Sequence, residues 1–189
     1  MSDMTFAEGV RKFSEYGLGE FLEIVGEMSQ ESTKKGALER KTKELVTLAL
    51  ALAKRCHRCV EIHTRDARKL GASEEEISQV KKIVLFLNAS PWHDDMMFDQ
   101  WSASWRHFAD VVGPVAPSDR ELMALAIAVM RHHEDQLVLH THAALRLGAS
   151  EAQLAEVMPI VLLMDGAPAL SQIPNVMAAI DSFDGTGNA

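Results

Sequence analysis

Residues 56–63 read CHRCVEIH and hold the chain's two cysteines, Cys56 and Cys59, with His63 four positions after the second. Cysteine thiolates are nucleophiles and metal ligands, and a Cys-x-x-Cys pair closes readily to a disulfide, so these types and spacings admit redox chemistry or metal binding. On a helix, Cys59 and His63 stack one turn apart and Cys56 lies on the same stripe, so all three side chains can meet. Lys54-Arg55 reads as a break, which predicts a helix starting near Cys56. The unpaired N–H groups and the positive dipole end of such a helix favour thiolate over thiol, and cysteines so placed have pKa values of roughly 3.5 to 7.5. His63 is then positioned to take up or return a proton. Twelve residues before Cys56, Glu44 stands on the preceding helix. Antiparallel packing would bury it, and a buried carboxylate needs a partner such as His63; facing water, it belongs to an ordinary charged stretch. Periodicity alone allows both.

The elements that must position these residues occur twice. Shifting the sequence by 77 positions lays residues 43–80 on residues 120–157, with 14 of 38 pairs identical, and also pairs Gly36 with Gly113 and Pro91 with Pro168. Such self-similarity marks two copies of one structural unit. In each copy a densely apolar segment without Gly or Pro, ERKTKELVTLALALAKR in the first, predicts a central buried helix. The next helix ends at Leu70-Gly71, where Gly71 suits a positive φ, and Ser73 with Glu76, like Ser150 with Gln153, has the spacing of a capping box. IVLFL at 83–87 is ambiguous between strand and helix, and no long run alternates with period two, so the fold class is all-α, two tandem helical repeats packed as a pseudo-twofold unit. The expected division is N-terminal covering helices at 1–35, with Gly17, Gly19 and SQESTKK as joints, and the first repeat at 36–91. A linker and covering helix follow at 92–112, with SPWHDDMMFDQ (90–100) as a loop, then a second, degenerate repeat at 113–181 and a flexible tail at 182–189.

Composition narrows the function classes. The net charge is −8, and cations are scattered among acids, which argues against nucleic acid or an anionic membrane surface as partner. The N-terminus carries acids and no apolar targeting core, and no stretch of about 18 uncharged apolar residues occurs, so a cytoplasmic location is expected. In that reducing compartment a lone Cys-x-x-Cys is reactive or metal-binding sooner than structural.

Glu44, eleven residues, Cys56-x-x-Cys59, three residues and His63, within KTKELVTLALALAKRCHRCVEIHTRDARKLGASEEEI, resemble the alkylhydroperoxidase D (AhpD) core of the carboxymuconolactone decarboxylase superfamily. The resemblance covers the first copy and, more weakly, the second. It implies an all-helical AhpD-like fold and a thiol-disulfide oxidoreductase that reduces alkyl hydroperoxides. It further implies that Cys59 is the thiol activated by the relay, Cys56 the more accessible partner, His63 the proton shuttle and Glu44 the group that orients His63. Family members often place a histidine or aromatic residue directly before the second cysteine; here that position is Arg58, with His57 one place earlier. His57, lying between the cysteines, points off their stripe and reads as a surface residue. Substrate would be a peroxide or disulfide; no flavin or nicotinamide fingerprint accompanies the motif, so no cofactor is expected and electrons would come from an external dithiol. Single-unit relatives tend to form hexamers, which a tandem chain would match as a homo-oligomer, a trimer. The alternatives are a lyase of the same superfamily, a zinc module using Cys56, Cys59 and His63, and a non-catalytic assembly protein.

The second copy keeps Glu121 and His140 but carries His133 and Gln136 in place of the cysteines, which excludes thiol chemistry there. Glu121, His133 and His140 are metal-ligand types, but a decayed site retained for packing is the simpler expectation, and no metal is expected. His93, His107, His132 and His142 default to surface or cap roles, and Trp92, Trp101 and Trp105 to packing over a core edge or a subunit contact.

Overall fold

The central segments are the most apolar stretches, and burial follows. In the computed structural model, which describes residues 4–92 and 95–185, ten consecutive residues from Thr42 to Ala51 are buried on α3 (Arg40–Ala53), as are ten from Arg120 to Val129 on α7 (Pro117–Arg131). These two helices pack on each other, and Thr42 Oγ1 donates to Asp119 Oδ2 at 3.2 Å. Thr42 and Asp119 are 77 residues apart, so this bond joins counterpart positions across the pseudo-twofold axis. Around the pair lie α4 (His57–Lys69) and α5 (Glu74–Asn88) from the first copy, and α8 (Glu134–Arg146), α9 (Glu151–Ala155) and α10 (Val157–Asp165) from the second. A 3₁₀ turn (Ala167–Gln172) leads to α11 (Ile173–Asp181), which packs on α8. Two elements precede the copies: α1 (Phe6–Phe13) with α2 (Gly19–Thr33), joined through a wide turn kinked at Gly17 (φ 87°), and α6 (Asp95–Asp110). The described residues contain no strand, and IVLFL is part of α5. The protein is all-α.

The copies lock each other by reciprocal contacts at equivalent positions. The Glu156 carboxylate accepts from the backbone N–H groups of Ala37 (2.7 Å) and Leu38 (2.8 Å) and pairs with Lys43 Nζ at 3.0 Å. Its counterpart Gln79 accepts from Val115 N–H at 2.9 Å. A Cβ on Gly36 would come within 1.9 Å of the Glu156 carboxylate, and one on Gly113 within 2.5 Å of the Gln79 amide, so both turns need glycine for close approach. Lys54 reaches Asp165 at 2.7 Å, while Arg131 in the other copy binds the Leu87 carbonyl at 2.7 Å and the Asn88 side chain. Such contacts hold the ends of α3 and α7, where the candidate sites begin.

Several expectations need correction. SQEST does not form a joint: α2 runs to Thr33, because Ser32 and Thr33 return their hydroxyls to the Ser29 carbonyl and leave the helix backbone intact. The loop expected at 90–100 is shorter, since α6 is already helical from Asp95. His142 takes the cap role among those expected: its Nε2 lies 3.0 Å from the Ala179 carbonyl in the last turn of α11 and ties α8 to that helix end. The second copy's counterpart of α5 breaks at Glu156 because Pro159 lacks an N–H and crowds the Ala155 carbonyl, whereas the first copy has Lys82 there. His93 and the end of the expected tail, 186–189, lie outside the described residues.

Candidate active site

The path from α3 into α4 turns on one residue. Arg55 adopts a left-handed conformation (φ 56°), uncommon for a residue with a Cβ, and Cys56 N–H returns to the Ala51 carbonyl at 3.0 Å to close α3. This turn sets Cys56 at the N-cap of α4 with φ −82° and ψ 91°, its sulfur accepting from Cys59 N–H at 3.3 Å. The expected helix start is therefore observed. Cys56 and Cys59 are joined as a disulfide. The left-handed turn was not legible in the sequence, because Arg gives no signal for positive φ; its counterpart His132 (φ 55°) repeats it.

Glu44 takes the buried of its two placements. It is 7% exposed on α3, and its Oε2 lies 2.9 Å from His63 Nδ1 on α4. A carboxylate only accepts, so Nδ1 carries the hydrogen and Nε2 is the nitrogen left for proton exchange. His63 stands one turn beyond Cys59 on the same helix, and among the described residues it hydrogen-bonds to neither sulfur of the disulfide. The four expected site residues thus occupy adjoining turns of two packed helices as two bonded pairs, Cys56–Cys59 and Glu44–His63. His57 and Arg58 are exposed at the start of α4.

The second copy repeats the frame with different chemistry. His140 Nδ1 lies 2.7 Å from Glu121 Oε2, and Trp105 Nε1 donates to the other oxygen at 2.8 Å. His133 is the N-cap of α8, accepting through Nδ1 from Gln136 N–H at 3.4 Å, which leaves Nε2–H to donate to the Pro91 carbonyl at 3.0 Å. The indoles of Trp101 and Trp105 stand edge-on over His140, and Glu121, His133, Gln136 and His140 are all buried. Trp101 and Trp105 therefore roof this centre, while Trp92 is exposed. Among the described residues, both Gln136 amide atoms, His140 Nε2 and Thr141 Oγ1 find no hydrogen-bond partner despite burial. No cluster of three or more potential metal ligands occurs among the described residues. The first site is partly open, the second sealed.

Comparison with known proteins fits this duplicated frame. A model of the carboxymuconolactone decarboxylase family matches residues 19–91 and again residues 100–179. The chain belongs to the carboxymuconolactone decarboxylase family. It is similar to an uncharacterized protein of Cupriavidus necator, 35% identical over 72 residues, covering 38% of this chain and 64% of that protein. It is also similar to an uncharacterized protein of the cox locus of Paracoccus denitrificans, 41% identical over 44 residues (23% of this chain, 40% of that protein). The Bacillus subtilis protein YdfG, likewise uncharacterized, is 38% identical over 45 residues (24% of this chain, 31% of that protein). The matched segments span less than two thirds of each relative. No solved structure matches the chain significantly. Membership in the carboxymuconolactone decarboxylase family accounts for the tandem helical frame, and among the described residues no helix is long and apolar enough to cross a membrane.

Proposed function

We propose that this carboxymuconolactone decarboxylase family member is an AhpD-like thiol-disulfide oxidoreductase that reduces alkyl hydroperoxides. The observation that carries the reading is the Glu44–His63 hydrogen bond of 2.9 Å set one turn from a cysteine pair whose first member caps a helix. In the dithiol form, the helix N-terminus favours thiolate, and His63 Nε2 accepts the Cys59 proton while Glu44 positions the ring and stabilises the imidazolium. The Cys59 thiolate attacks the terminal peroxide oxygen; the O–O bond breaks, the alkoxide takes the proton from His63 as alcohol, and Cys59 becomes a sulfenic acid. Cys56 then attacks that sulfur, its proton leaves with the hydroxyl as water, and the disulfide forms. Two electrons have passed from the cysteine pair to the peroxide. A dithiol donor returns them by thiol-disulfide exchange, itself ending as a disulfide.

Phe21, Ile24, Val25 and Met28 leave an apolar face of α2 exposed, which supports a homo-oligomer as the working form; the trimer is the stoichiometry that the resemblance to six-unit relatives implies. Light scattering tests it, and a mass equal to one chain would rule it out. The enzymatic reading is tested by hydroperoxide consumption driven by dithiothreitol: turnover is expected in the wild type and absent in Cys59→Ser. Equal consumption by both proteins would refute it.

A further inference from the structure

Cations are scattered among acids along most of the chain, and the junction of α3 and α4 departs from that pattern. Between residues 54 and 69 there are six cations against the two acids Glu61 and Asp66, in a chain whose net charge is −8; Arg65 and Lys69 pair with Asp66 and Arg68 with Glu74 at the far end of α4, which leaves Lys54, Arg55 and Arg58 at its head. Arg55 directly precedes Cys56 in sequence and Arg58 directly precedes Cys59; both are exposed, as is His57 between the cysteines. Arg58 makes one exposed pair with Glu61 at 3.3 Å, a contact of little worth in water, and Lys54 is held by Asp165. The second copy reverses this charge: where the first has His57 and Arg58, it has Glu134 and Asp135 at the head of α8. The basic rim thus belongs to the copy that carries the cysteines. Arg58 also lies over the exposed ring of Phe6 (5.8 Å), which makes the rim continuous with apolar surface on α1.

We propose that Arg55 and Arg58 form a docking rim for the electron donor, and that this donor is a protein or peptide whose dithiol is flanked by acidic residues. The proposal rests on the oxidoreductase reading given above. A donor must bring a thiolate onto one sulfur of the Cys56–Cys59 disulfide, forming a mixed disulfide while the other sulfur leaves as thiolate; the donor's second thiol then closes its own disulfide and releases the dithiol protein. The two electrons come from the donor, and its two protons end on Cys56 and Cys59. An acidic approach face is attracted to the rim, whereas the rest of this acidic molecule repels it, so the charge pattern orients the encounter. The cations stand outward at the head of a helix, a form suited to a macromolecular face.

The test measures disulfide reduction by three probes: a peptide with one Cys-x-x-Cys flanked by four glutamates, the same peptide with lysines, and neutral dithiothreitol. At low ionic strength the acidic peptide is expected to react at least about tenfold faster than the basic one, and the preference should collapse in 0.5 M salt at a Debye length of roughly 4 Å. Arg58→Glu should abolish the preference. Arg55→Asn, which tolerates the left-handed backbone, should reduce it, and both variants should change the rate with dithiothreitol, whose small thiolate carries one charge, far less than the rate with the acidic peptide. Equal rates for the two peptides, or variants that slow all three reductants alike, would overturn the proposal. A slowed oxidation by a carboxylate-bearing hydroperoxide with unchanged peptide rates would assign the rim to the oxidant and likewise overturn it. Failure of the oxidoreductase reading is seen separately, as hydroperoxide that leaves the dithiol intact.

Discussion

Removing the Glu156 side chain should loosen the lock between the copies more than any change on the exposed surface. Its carboxylate accepts two backbone hydrogen bonds, from Ala37 and Leu38, and faces Lys43, whose side chain is only 6% exposed. Hydrogen bonds to a charged group contribute about 1.5–3 kcal/mol each, and loss of the partner leaves a nearly buried ammonium, but the contacts share one carboxylate and do not add fully. Glu156→Ala is therefore expected to lower stability by about 3–5 kcal/mol. Glu156→Gln keeps one acceptor oxygen, as Gln79 does in the other copy, and should cost about 2 kcal/mol. Urea unfolding followed by tryptophan fluorescence measures both. The pH dependence has a definite sign. Burial works to raise the Glu156 pKa, yet the two N–H groups and Lys43 outweigh it and hold the value below the ordinary 4.5. The advantage of wild type over Glu156→Gln is thus complete above pH 4.5 and shrinks as pH falls through the lower folded value. A loss below 1 kcal/mol in Glu156→Ala, or a Gln penalty unchanged in acid, would refute the reasoning.

Three further outcomes are expected. Gln136→Met, which replaces a sealed amide whose polar atoms find no partner among the described residues, should raise stability by about 1–2 kcal/mol in the same urea assay, and a destabilisation would show that the amide is satisfied in solution. Burial pushes the Asp119 carboxyl above its ordinary 3.8 against the opposing Thr42 hydroxyl, so it costs stability as pH rises through its folded value; Asp119→Asn should have the higher urea midpoint at neutral pH, with the difference vanishing below pH 3.8. His63→Asn should slow hydroperoxide-driven thiol loss by about 10²–10⁴-fold in stopped flow, and Glu44→Gln should slow it less, since the ring keeps a hydrogen-bonded neighbour.

The helices, their caps and the duplication were readable because they rest on local rules. Ser73 and Ser150 cap as their spacing requires, and α3 and α7 are buried as their apolar density requires. Cys56 at the head of α4 followed from the break before it. Glu44 was ambiguous because periodicity allows either face and acids are rarely buried, and the pairing across α3 and α4 decided it. What escaped depends on distant partners. The Arg55 turn has no residue signal, the reach of Glu156 to the first copy's entry loop spans more than a hundred positions, and the donation of Trp105 to Glu121 requires knowing that α6 lies over the second centre. The start of α6 at Asp95 was legible in principle, since aspartates ahead of the apolar Met96-Met97-Phe98 are residue types that begin a helix.

The central claim is that Cys56 and Cys59 act as one redox pair toward hydroperoxide. The direct measurement is a free-thiol titration of the reduced protein before and after one equivalent of an alkyl hydroperoxide, with Cys56→Ser as control. Loss of both thiols together, one alcohol formed per chain, and no internal disulfide in Cys56→Ser are the predicted results. Retention of both thiols in the wild type would contradict the claim.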